Sequence, residues 1–66
     1  MIKVNELRGI IIKNEKTQSD VAKMLGISPK TFYAKMKKGV FGSDEIEIMI
    51  AGLNIEDPMS IFFARE

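Results

Sequence analysis

The sequence predicts an all-α, compact fold of five short helices, and three observations carry that expectation. Apolar residues recur at helical spacing in every segment, glycines and Ser-Pro or Asp-Pro pairs punctuate the segments, and no alternating run is followed by a hairpin turn and a second such run. The 66 residues contain no linker, repeat or low-complexity stretch, so residues 1–66 read as a single domain.

Val4, Leu7, Ile10 and Ile11 define a first helix over residues 3–14, with Gly9 expected to mark close approach of another backbone. Thr17 opens the second, its hydroxyl placed to cap and Asp20 three residues on at the positive helix end. Val21, Ala22 and Leu25 are its inward face and Gly26 its stop. Ser28-Pro29 starts the third: serine caps, and proline sits where its missing N–H costs nothing. This helix, taken as 28–38, runs to Lys38 before Gly39. Two helices joined by a short turn containing glycine form a helix-turn-helix. Ser43 or Asp44 caps a fourth helix whose Ile46, Met49, Ile50 and Leu53 make an apolar stripe. Asp57-Pro58 begins a fifth, with Met59, Phe62 and Phe63 expected on one side.

Composition narrows the chemistry. Without Cys or His there is no disulfide, no zinc site of the usual kind and no Ser-His or Cys-His catalysis. A chain this short has little room for both a core and an enclosed pocket, so neither an enzyme nor a cofactor, metal or small-molecule ligand is expected. No apolar run approaches the ~20 residues of a membrane span, and no signal-peptide core opens the chain; the expected location is cytoplasmic, away from membranes.

The net charge of +1 conceals a polarity. Residues 1–39 carry nine of the ten basic residues against Glu6, Glu15 and Asp20, a net +6. From residue 40 onward Arg65 stands against six acids, a net −5. Such asymmetry points to a polyanionic partner for the basic half.

With Phe32 turned inward, 100° per residue puts Met36 about 40° away and Lys35 about 60° away on the other side, bordering the core. Lys30, Tyr33, Ala34 and Lys37 then share the opposite half, a narrow basic face suited to the major groove. There Lys30 is placed for guanine O6 or N7, Tyr33 for a base edge or phosphate, Ala34 for a thymine methyl, and Lys37 and Lys38 for phosphate. Gln18, in the first turn of the second helix, is placed for phosphate on the same duplex.

The stretch from Thr17 to Phe32 resembles the helix-turn-helix of the lambda repressor and Cro superfamily, including short phage and prophage repressor-like proteins of Gram-positive bacteria. The matching residues are Gln18, Ala22, Gly26 and the apolar Val21, Leu25, Ile27 and Phe32, and the likeness extends through Gly39, Phe41 and the Ile46 helix. The resemblance implies a lambda-repressor-like DNA-binding domain. By position it implies Pro29, Lys30, Tyr33 and Ala34 on the base side, and Gln18, Ser28, Thr31, Lys35, Lys37 and Lys38 on the backbone. Pro29 departs from the pattern, since this position commonly carries a polar reader. Lys35 departs too, standing where many members have an aliphatic residue, which leaves open whether Tyr33 or Ala34 faces the bases.

In the second half, Ile48 lies about 200° from Ile46 on its helix, and Ile61 falls off the expected Met59, Phe62, Phe63 side. Both are candidate contacts of a homodimer, which would match a pseudo-palindromic operator. The leading expectation is a sequence-specific double-stranded DNA-binding transcriptional regulator, Cro-like or a small repressor. Two rivals are a protein-binding module, antirepressor or antitoxin-like, that uses the acidic C-terminal half, and an excisionase-like architectural DNA binder. The latter would need a basic wing or minor-groove wedge that the sequence lacks.

Overall fold

The computed structural model describes residues 2–63. Arg65 and Glu66, counted in the charge of the second half, lie outside the described residues. Among those described there are five helices and no strand: α1 (Val4–Lys13), α2 (Gln18–Leu25), α3 (Pro29–Lys38), α4 (Ser43–Gly52) and α5 (Pro58–Phe62).

The apolar stripes meet in one core. Leu7 and Ile11 enter from α1, Val21 and Ala22 from α2, Phe32 and Met36 from α3, Met49 from α4, and Ile61 and Phe62 from α5. Phe41, in the α3–α4 connection, is buried with its ring 5.5 Å from that of Phe32 and inclined at 48°. The buried residues among those described are all apolar. Buried polar groups would each need a partner to offset desolvation, so this small core avoids that cost.

The ends of the helices explain how so short a chain changes direction four times. After α2, Gly26 adopts φ 72°, its N–H bonds the Lys23 carbonyl at 3.1 Å and the Ile27 N–H bonds the Ala22 carbonyl at 3.0 Å. This paired pattern closes a helix and satisfies its orphan carbonyls. Gly39, φ 69°, does the same after α3 through Met36 and, from Val40, Lys35. The device recurs where glycine is absent. Glu15 has φ 58° while Lys16 N–H bonds Ile11 C=O at 3.1 Å, and Asn54 has φ 50° while Ile55 N–H bonds Ile50 C=O at 3.1 Å. The half-buried Asn14 adds a cross-link, its Nδ2 donating to the carbonyls of Ile10 at 2.8 Å and Leu53 at 3.0 Å, which ties the end of α1 to the end of α4.

Three expectations are corrected. Gly9 is exposed, with nothing within 4 Å of where a Cβ would stand; the close approach is at Gly52 of α4, where a Cβ would collide with Met24 Cε of α2. Neither Ser43 nor Asp44 caps α4: Gly42 is the N-cap, and Glu45 reaches back to its N–H. On α5, Ile61 and Phe62 are buried while Met59 and Phe63 are exposed. With five residues, α5 has too little periodicity to fix its own inward face, and docking decides it. Helix α5 packs on α1, and the Ile61 carbonyl accepts from Lys3 N–H at 2.8 Å.

Candidate nucleic-acid interface

Helix α2 begins with a reciprocal cap: Thr17 Oγ1 accepts from Asp20 N–H at 3.1 Å, and Asp20 Oδ2 accepts from Thr17 N–H at 2.8 Å. The backbone hydrogen bond from Thr17, then its hydroxyl, hold the Asp20 carboxyl below the ordinary aspartate range. Gln18 is half-buried beside this cap. The Asp20 carboxylate already occupies the positive end of this helix.

The turn through Gly26 leads into α3, which packs directly on α2. Ser28 caps α3 as the sequence predicts, its Oγ accepting from Thr31 N–H at 3.1 Å and donating to Thr31 Oγ1 at 2.9 Å. Pro29 occupies the first helical position. From there Phe32 and Met36 point into the core, while Pro29, Lys30, Thr31, Tyr33, Ala34, Lys37 and Lys38 are exposed. Tyr33 keeps 49% of its surface in solvent, so it is not a covering residue of the core. The outward face is therefore the Lys30, Tyr33, Ala34, Lys37 face, apolar in its middle and cationic at each end, and Lys35, Lys37 and Lys38 complement the negative helix terminus.

Lys35 stands apart. Its Nζ is 2.8 Å from Glu45 Oε1, which also accepts from Gly42 N–H at 2.8 Å. The hydrogen bond from Lys35, then that from Gly42, hold the Glu45 carboxyl below the ordinary glutamate range. Lys35, expected as a phosphate contact, has its ammonium engaged with Glu45, which fastens α3 to the start of α4. Sequence reading missed Glu45 because its signature, an acid three residues after a capping side chain, is hidden when the cap is glycine.

On the acidic side, Ile48 is 40% exposed but Ile61 only 7%. Ile61 belongs to the core and is withdrawn as a dimer contact.

These features define a class: a helix-turn-helix DNA-binding domain of the regulatory kind, with α2 and α3 as its two helices. Residues 15–39 match the family described as bacterial regulatory protein, Fis family, a span that holds the α2 cap, the Gly26 turn and α3 to its closing glycine. The chain is similar to that family over this segment, which supports the helix-turn-helix in general and not the expected lambda repressor and Cro type in particular. No curated protein and no solved structure matches the chain. Among the described residues no helix is long and apolar enough to cross a membrane.

Proposed function

We propose that the protein is a sequence-specific double-stranded DNA-binding transcriptional regulator of the small repressor or Cro-like type, with α3 lying in the major groove. One observation carries this reading: the face of α3 turned from the core is free, narrow and basic. Pro29, Lys30, Tyr33 and Ala34 are the base-side residues. Gln18, Thr31, Lys37 and Lys38 are the backbone-side residues, with Ser28 supporting Thr31. The acids of α4 outside the ion pair, Asp44 and Glu47, keep that helix off the phosphates. A homodimer fits the reading, with Ile48 at its contact and two α3 helices reading half-sites about 34 Å apart on a pseudo-palindromic operator.

The test is a pair of substitutions measured by DNA binding across a salt series. Lys30→Ala weakens the preferred site by about 1–3 kcal/mol while changing random-sequence binding less. Lys37→Ala weakens all sequences alike and reduces the salt slope by about one. Equal effects of Lys30→Ala on preferred and random duplexes remove it from base reading. Absence of steep salt dependence in the unaltered protein favours the protein-binding module instead.

A further inference from the structure

The outward face of α3 is poor in the groups that usually distinguish base pairs. Helix α3 carries no Arg, Asn, Gln, Asp or Glu. It therefore has no guanidinium fork for guanine, no amide for the paired donor and acceptor of adenine, and no carboxylate for the cytosine amino group. The remaining polar groups are partly committed. The hydroxyls of Ser28 and Thr31 are bonded to one another, and Lys35 is held by Glu45. Lys30 and Lys37 are compact charges on flexible stems, better at attraction than at geometric discrimination. Between them stand Tyr33 and Ala34, with Pro29 at the helix start, and all three are exposed. In the major groove the one apolar feature that distinguishes an unmodified base is the C5 methyl of thymine.

We propose that this face tells DNA sites apart chiefly by thymine C5 methyl groups seated against Pro29, Ala34 and the ring of Tyr33, with Lys30 adding a guanine contact at one end and Lys37 supplying attraction and register. The inference rests on α3 being the groove-entering helix and adds which chemistry of the groove it reads. A methyl seated on Ala34 is out of water, and its removal costs affinity on the scale of one buried methylene, about fourfold.

The experiment starts from the duplex that the intact protein selects from randomised DNA. Each thymine is replaced in turn by deoxyuridine, which deletes the methyl and leaves every hydrogen-bonding edge in place. The expected result is an affinity loss of about fourfold at one or two thymines of each half-site, and loss of that sensitivity at one of them in Ala34→Ser. The folding of this variant is checked by its helical circular dichroism, and Tyr33→Ala serves as a second variant at the same seat. If no deoxyuridine changes the affinity while the selected duplex still outcompetes random DNA, the methyl inference is overturned and the DNA-binding reading stands. If selection returns no preferred duplex, sequence-specific reading fails and this inference fails with it.

Discussion

Helices α3 and α4 have the same length, ten residues each, and both turn large apolar side chains into one core, yet their outer faces are opposites. The exterior of α3 presents Lys30, Tyr33, Ala34, Lys37 and Lys38; that of α4 presents Asp44, Glu47, Ile48 and Ala51. Phe32 and Met49, at the centres of the two helices, are both fully buried. Burial is thus the common duty and surface charge the division of labour. An ion pair fastens them, Lys35 to Glu45, and it takes the lysine nearest the core out of the basic face. A helix can be held in place by one of its own cations while the rest stay available.

If the two helices differ only on the outside, emptying the inside of either is equally damaging. Phe32→Ala is expected to cost about 3–5 kcal/mol and Met49→Ala about 2–5 kcal/mol. A single core of this size rarely supplies more than about 3–5 kcal/mol, so thermal melts followed by circular dichroism should show either variant largely unfolded, while Lys30→Ala melts like the parent.

The connection that presents α3 is the next place to intervene. Gly26 has nothing within 4 Å of a would-be Cβ, so Gly26→Ala meets only the penalty of the left-handed backbone at φ 72°. That penalty is about 1–2 kcal/mol, read as a lowered urea midpoint with an unchanged slope.

The fastening between the two helices is weaker. Glu45→Gln is expected to cost about 1 kcal/mol, since a half-exposed ion pair and one capping hydrogen bond are each modest. Because the folded-state pKa of Glu45 lies below the ordinary 4.5, its contribution is fully present above that value and is lost as the pH falls through the lower folded value. The parent should therefore lose stability on acidification below that range more than Glu45→Gln does, in parallel urea titrations.

The smallest effect has the opposite sign. Glu15 sits at φ 58°, a conformation glycine adopts without strain. Glu15→Gly should stabilise the protein by up to about 1 kcal/mol, and a lowered midpoint would show that Glu15 makes a contribution beyond its backbone.

The same two regions differ in how much of them is legible from the residues. In α2 and α3 each boundary has a side chain or a glycine that announces it: Thr17 with Asp20, Gly26, Ser28 with Pro29, and Gly39. With both ends fixed, helical periodicity alone turns Phe32 and Met36 inward and Lys30 and Lys37 outward. Past Gly39 the signals are indirect. The α4 cap is made by Glu45 reaching back to a residue without a side chain, the α4 stop is an asparagine in a glycine conformation, and α5 takes its orientation from α1. Such contacts depend on which residues of distant segments meet, and local pattern does not encode that. Lys35 shows the consequence at the site itself: its position on the helix was readable, whereas its partner on α4 was not.

On the proposed reading the outward face of α3 meets DNA and the outward face of α4 does not. Amide chemical-shift changes on titrating the labelled protein with the duplex selected from randomised DNA test it directly. The largest changes are expected at Gln18, Lys30, Tyr33, Ala34 and Lys37, with Glu47 and Ala51 little moved; changes centred on α4 with the α3 resonances unshifted would show that α3 is not the helix that meets DNA.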